Sequence, residues 1–240
     1  MPDPVRKEGL CEAFILHARK YRDTSMIVEL ITREDGRVPA VVRGVRTKKS
    51  RTVGYIQPFG RLLVSWFGRG ELKTVRSMDF PWSMPELTGD ALLTGLYVNE
   101  LLIRLMGKYD PIPAVFDAYG PVIHRIAMGA EAGPALRQFE LLLLRELGYG
   151  ITFDWEAHTG EPVRADNWYH YVPDEGFHRI AEPRSDAYSV RGEDLILIAE
   201  GKFTEPGIDA SAKRIIRRSL AALLGDRKLM SRELFRRTEP

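Results

Sequence analysis

Arg43, Arg46, Lys48, Lys49 and Arg51 place five cations within nine residues, with no acid among them. Clustered Lys and Arg beside a rigid surface suit a polyanion such as a nucleic-acid backbone, where affinity comes largely from phosphate neutralisation and counterion release. An ordinary solvated loop is the competing use of any such run. Arg61, Arg69, Lys73 and Arg76 add cations downstream, and Tyr55, Phe59, Trp66 and Phe67 interleave rings on which bases could stack. Packing in a core is the other use of those rings, and the better one for Phe59 and Trp66. Much later, Lys213, Arg214, Arg217 and Arg218 recur at i, i+1, i+4 and i+5, on or near one helical face. No base-reading helix motif stands out, so the expected binding depends weakly on sequence.

Covalent chemistry finds less support. There is no Gly-x-Ser-x-Gly elbow, and Cys11, the single cysteine, has no obvious base near it in sequence. No phosphate loop ending in Gly-Lys-Ser/Thr occurs, and the carboxylates are scattered. His158, His170 and His178 lie near Asp154, Glu156 and Glu161, but their spacing matches no familiar zinc pattern and no thiolate accompanies them. The expectation is a chain with no catalytic residue, no metal ligand and no cofactor.

Charge is unevenly distributed. Residues 1–80 hold 16 Lys and Arg against 9 Asp and Glu, residues 81–212 hold 10 against 21, and residues 213–240 hold 9 against 3. Basic ends flank an acidic middle, which assigns a polyanion to the ends and leaves the middle for protein partners. The polar start Met1-Pro-Asp-Pro-Val-Arg-Lys-Glu8 does not resemble a signal peptide, and the Leu141–Leu144 run is too short to span a bilayer. A cytoplasmic, nucleoid-associated protein without a membrane partner is expected.

The elements that must position these cations can be read from periodicity. Residues 12–18, 25–32, 38–42, 57–67 and 71–76 read as five short strands with glycine turns, and Asp35-Gly36 supplies the positive-φ residues of a hairpin. Five such strands fit a small barrel, an OB-fold or, alternatively, an SH3-like barrel. Phe80–Pro85 is a proline-punctuated linker. Helical spacing then marks residues 90–108, 113–128 and 134–148, with Pro134 in a first turn and Gly148 as a left-handed cap. Residues 149–191 are irregular with a short β excursion. Helices follow at 192–200, 208–224 and 230–237, the last with Ser231 as N-cap. The expected class is α+β. The expected domains are an OB-fold at 1–80, a helical domain at 81–148, an insertion at 149–191 and C-terminal helices at 192–240.

Several short stretches, in order, resemble the RecO family of bacterial recombination-mediator proteins. They are Ala13-Phe-Ile-Leu-His17, Asp35-Gly-Arg37, Arg43-Gly-Val-Arg46, Gln57-Pro-Phe59 and Gly68-Arg-Gly-Glu-Leu-Lys-Thr74. Gly95-Leu-Tyr-Val-Asn-Glu-Leu-Leu102, Ala135-Leu-Arg-Gln-Phe-Glu140, Leu147-Gly-Tyr-Gly150 and Ser231-Arg-Glu-Leu-Phe235 continue the series. The resemblance implies an N-terminal OB-fold, a helical domain and, in some members, a zinc-finger-like insertion. It implies binding of single- and double-stranded DNA and annealing of complementary strands. It also implies partnership with RecR in loading the RecA recombinase onto DNA coated by single-stranded-DNA-binding protein. Where zinc-bearing members carry cysteines, this chain has Trp155, Glu156 and Thr159, so a metal-free insertion is expected. Arg137 matches the family arginine associated with capture of the coating protein's acidic, phenylalanine-ended tail. A protein adaptor that never touches DNA, a metal-dependent nucleic-acid-processing enzyme and an RNA-binding OB-fold protein remain alternatives on residues alone.

Overall fold

In the computed structural model, which describes residues 9–47, 52–129, 131–185 and 188–238, alternation of apolar side chains closes the first third of the chain on itself. The strands β1 (Cys11–Tyr21), β2 (Ser25–Thr32), β3 (Gly36–Val42), β4 (Arg61–Phe67) and β5 (Lys73–Asp79) form a closed barrel in the order β1-β2-β3-β5-β4. β4 pairs back onto β1, and only the short β3–β5 contact is parallel. This is the five-stranded layout of an OB-fold. Ala13, Ile15, Val28, Leu30, Val38, Val42, Leu62, Val64 and Trp66 point inward at period two and fill the barrel.

Local chemistry sets the turns. Gly36 adopts φ +67° between β2 and β3, and a Cβ there would lie 2.4 Å from the Asp110 carbonyl oxygen. Both the backbone conformation and the close approach therefore require glycine. Asp35 does not share the positive φ, so one residue carries the hairpin where two were expected. β4 starts at Arg61, later than the sequence suggests, because Gln57–Gly60 turns instead, with Gly60 N–H donating to Gln57 O and Phe59 at φ +72°.

Helices α1 (Gly89–Leu105), α2 (Pro113–Met128) and α3 (Ala132–Glu146) follow. An antiparallel sheet in the order β7-β6-β8 comes next, made of β6 (Trp168–Val172), β7 (Gly176–Ile180) and β8 (Ser189–Arg191). α4 (Gly192–Ala199), α5 (Ile208–Leu224) and α6 (Met230–Thr238) complete the chain. Among the described residues no helix is long and apolar enough to cross a membrane.

The chain gathers into two compact units, one of residues 1–127 with 228–240 and one of residues 128–227. A buried polar link joins the first two helices to the barrel. Asn99 of α1 donates to the Leu16 carbonyl of β1 at 2.8 Å, and the Tyr119 hydroxyl of α2 donates to Asn99 Oδ1 at 2.7 Å. Helices α1 and α2 thus belong with the barrel. α6 returns to the same unit, since Glu100 of α1 accepts the backbone N–H groups of Met230 and Ser231, each at 2.9 Å, and the Ser231 hydroxyl at 2.7 Å. Ser231 is consequently inside the helix rather than its N-cap. In the second unit α3 and α4 lie against α5.

Candidate nucleic-acid interface

Strand register assembles one rim of the barrel from three connections. Arg19, Ile27, Val41, Thr74 and Phe67 form a row across β1, β2, β3, β5 and β4. Beyond that row lie the β1–β2 turn, the exit from β3 and the β4–β5 turn. Arg46 ties the first two together, its backbone N–H donating to Thr24 O at 2.9 Å and its Nη1 to Arg22 O at 3.1 Å. A groove of about 560 Å³ runs between them, lined by Arg22, Asp23, Arg43 and Gly44, with Leu72 from the third connection and Thr74 of β5. The β1–β2 and β4–β5 loops of OB-folds are the ones that take up oligonucleotides.

The expected cations divide. Arg43, Arg69 and Arg76 are exposed, and Arg76 lies 5.8 Å from the Phe67 ring, itself 41% exposed. Arg46 is half-buried and holds the turn. Lys48, Lys49 and Arg51 lie outside the described residues. Lys73 departs from expectation: it is only 5% exposed, its ammonium donates to Gly68 O at 3.1 Å and sits 4.9 Å from the Tyr109 ring. Its strand position turns it under the β4–β5 loop, where it closes the turn instead of facing solvent. Arg61 is likewise engaged elsewhere, paired with Glu12 at 2.6 Å and stacked 4.2 Å from the Trp82 ring. Trp66 and Phe59 are core residues, while Tyr55 is half exposed and stacks on Phe80 with centroids 5.4 Å apart.

Sequence reasoning missed Arg19, Lys20 and Arg22. All three are exposed at the β1–β2 hairpin. The signal is in the sequence: Arg19-Lys-Tyr-Arg22 holds three cations in four residues, between the two stretches whose periodicity marks strands. β1 runs to Tyr21, and its last pairs, Lys20 with Met26 and Tyr21 with Ser25, bring those cations beside the β3 exit.

The second unit carries the remaining candidates on α3 and α5. Arg137 is 3% exposed, not the surface arginine of an amphipathic helix. Its Nη1 lies 2.8 Å from Glu140 Oε2, and its Nε lies 3.6 Å from Asp209 Oδ1 at the start of α5. Asp209 is 38% exposed by side chain, Glu140 wholly buried. One turn along α5, burial lowers the pKa of Lys213 from its ordinary value, and the charges of Arg217 and Arg137 lower it further. Arg214 donates to Ser211 Oγ at 3.3 Å, and Arg218 sits 4.9 Å from the Tyr188 ring. Arg214, Arg217 and Arg218 are exposed, whereas Lys213 is half-buried within the Arg137 cluster.

The short β excursion expected within 149–191 is the β7-β6-β8 sheet, which begins at Trp168. His170 and His178 face each other across β6 and β7, and His178 Nε2 lies 3.0 Å from Glu175 Oε2. The Glu156 carboxylate accepts the Thr159 hydroxyl, a hydrogen bond that lowers its pKa. With no thiolate and one committed carboxylate, Trp155, Glu156 and Thr159 do not fit zinc.

Comparison with known proteins covers both units. The family model described as recombination protein O N terminal matches residues 7–81, and the one described as recombination protein O C terminal matches residues 86–233. The chain is 43% identical over 235 residues to the DNA repair protein RecO of Pectobacterium atrosepticum, covering 97% of this chain and 95% of that protein. It is 39% identical over 222 residues to the DNA repair protein RecO of Nitrosococcus oceani, covering 92% and 90%. Against the DNA repair protein RecO of Vibrio cholerae the figures are 40% over 232 residues, 96% and 95%. A barrel of OB-fold order, a helical continuation and matches of this length in both parts make the chain a member of the RecO family of DNA repair proteins.

Proposed function

We propose that this chain is a DNA-binding recombination mediator whose barrel rim holds the phosphate backbone of single- and double-stranded DNA. The observation that carries the reading is the convergence of Arg22 and Arg43 on a groove bounded by the β1–β2 and β4–β5 connections, with Arg46 holding the β1–β2 turn beside it. Exposed cations on a rigid barrel lower the phosphate repulsion between two strands, so pairing can nucleate. Exposed Phe67, in the rim row, offers a stacking face that does not depend on base identity. In this reading no bond is made or broken. The chain anneals complementary strands and, with RecR, helps RecA load onto DNA coated by single-stranded-DNA-binding protein. Arg137 receives the terminal carboxylate of the coating protein's tail, which displaces the more exposed of its two acids, Asp209.

The test is annealing of two complementary labelled oligonucleotides, naked and precoated with the single-stranded-DNA-binding protein. Acceleration on both substrates is expected. Acceleration on neither would return the chain to the adaptor reading, with the rim cations meeting acidic proteins instead. Acceleration on naked strands alone would remove the tail contact.

A further inference from the structure

A second concave site lies within the 128–227 unit, and its lining has the opposite character to the barrel rim. It encloses about 540 Å³, within the size range of ligand pockets. Tyr149, Trp155 and Tyr171 supply aromatic surface, and Glu156, Asp174 and Glu175 supply carboxylates. Among the described residues, no Lys, Arg or His lines it.

The aromatic walls are fixed by backbone structure. α3 ends with Gly148 at φ +86°, whose N–H donates to Arg145 O, while the Tyr149 N–H donates to Leu144 O at 2.8 Å. These two bonds form a Schellman motif, which sets the direction of the chain at Tyr149. Trp155 is held by its bridge to Pro162, and the next two residues pair onward, Glu156 N–H with Glu161 O and Ala157 N–H with Phe177 O. Tyr171 is anchored behind by its hydroxyl contact with Ser219 of α5. Tyr149 and Trp155 nevertheless remain 47% and 48% exposed. Large rings held open to solvent beside a cavity, with carboxylates between them, match the recognition of an organic cation. A guanidinium gains from ring faces and from carboxylates together.

We propose that this pocket docks a basic segment of a partner protein by enclosing one arginine side chain. Trp155 and Tyr149 stack on the guanidinium, and Asp174 and Glu175 at the β6–β7 turn pair with it. Charge complementarity selects the occupant: the acidic lining rejects nucleic acid and acidic peptides. Glu175 exchanges its present contact with His178 for the incoming arginine. Glu156, already accepting from Thr159, stays as a wall of the pocket. The site is independent of the barrel rim and of Arg137.

Titration of the full chain with two acetylated hexapeptides, one carrying two arginines among glycines and one carrying two glutamates, tests this. The readout is the indole N–H resonance of Trp155, identified by its loss in Trp155→Phe. The arginine peptide should shift that resonance saturably, and the glutamate peptide should not. The paired change Asp174→Asn and Glu175→Gln should weaken binding at least tenfold. Asn is suited to position 174 because Asp174 adopts φ +64°, a region Asn tolerates. Tyr149→Ala, read at the same Trp155 resonance, should weaken binding comparably. Absence of a shift at millimolar arginine peptide, or unchanged binding in the Asp174→Asn, Glu175→Gln variant, would overturn the proposal.

Discussion

Arg137 sits between two carboxylates of different exposure, and that difference decides what each substitution does. Glu140 is wholly buried, so removing the guanidinium strands a charge that has left water. Breaking a buried pair in this way costs about 3–5 kcal/mol. Arg137→Ala should therefore lower the melting temperature as well as tail binding, and it is a poor test of recognition by itself. Asp209 is the informative position. It lies 3.6 Å from a guanidinium Nε that has no aligned acceptor, and it would have to yield to an incoming carboxylate. Asp209→Asn should strengthen binding of the tail peptide several-fold, measured by fluorescence anisotropy, and leave naked-DNA binding unchanged; weaker tail binding would show that Asp209 positions Arg137 instead. At the rim, about five phosphate contacts to a single strand give a log-affinity slope near −3.5 against log salt, about −0.7 per contact. Arg22→Ala with Arg43→Ala should flatten that slope by about 1.4. An unchanged slope would move the DNA path off the groove. Spacing alone could not separate Lys73 from these residues. A cation one strand position from a turn can face either side, and the Gly68 carbonyl and Tyr109 ring that hold it come from the turn and from a distant loop.

Elements were more legible than residues, for a physical reason visible in α6. Strands with period-two burial and helices with a single apolar face announce themselves locally, and all five barrel strands and all six helices fall near where periodicity puts them. The cap of α6 does not. Its N-terminal N–H groups are satisfied by Glu100, 130 residues upstream, so the local Ser231 signal pointed to the right helix and the wrong partner. Burial pushes the Glu100 carboxyl upward, but the hydrogen bonds from Ser231 and Met230, with Arg104 nearby, outweigh it, and the net pKa lies below its ordinary value of 4.5. A depressed carboxylate stabilises the fold above its unfolded pKa and loses that contribution as pH falls through the folded value. Docking of α6 should thus be intact at neutral pH and weaken below about pH 4.5. Glu100→Gln should cost about 0.5–2 kcal/mol at neutral pH, as loss of a helix cap does, and should flatten the acid limb of a melting-temperature profile. An acid limb identical to that of the parent chain would detach α6 from Glu100.

At the scale of the whole molecule, the path of the chain carries information that no local window holds. The chain leaves the first unit near residue 127 and re-enters it at 228, so the unit that holds the barrel, α1 and α2 is completed only by residues 228–240. Composition hinted at this arrangement, because residues 213–240 regain the basic character of residues 1–80 after an acidic middle. It could not show that α6 packs on α1, since Glu100 and the N–H groups it meets lie 130 and 131 residues apart in the chain. Removal of residues 228–240 should therefore act on the first unit and spare the second. The truncated chain loses the partner of Glu100 and leaves a half-buried carboxylate without its donors, at a cost of about 1–3 kcal/mol. For a chain of this size each kcal/mol shifts the midpoint by about 2–4 °C. Calorimetry of the truncated chain should show a lowered transition that hydrogen exchange assigns to the β1–β5 barrel and α1, with protection of α3 and α5 retained. The excised segment 128–227 should melt cooperatively by itself. Equal loss of protection in both units on truncation would mean that they fold as one, and the discontinuous first unit would then describe packing without describing cooperativity.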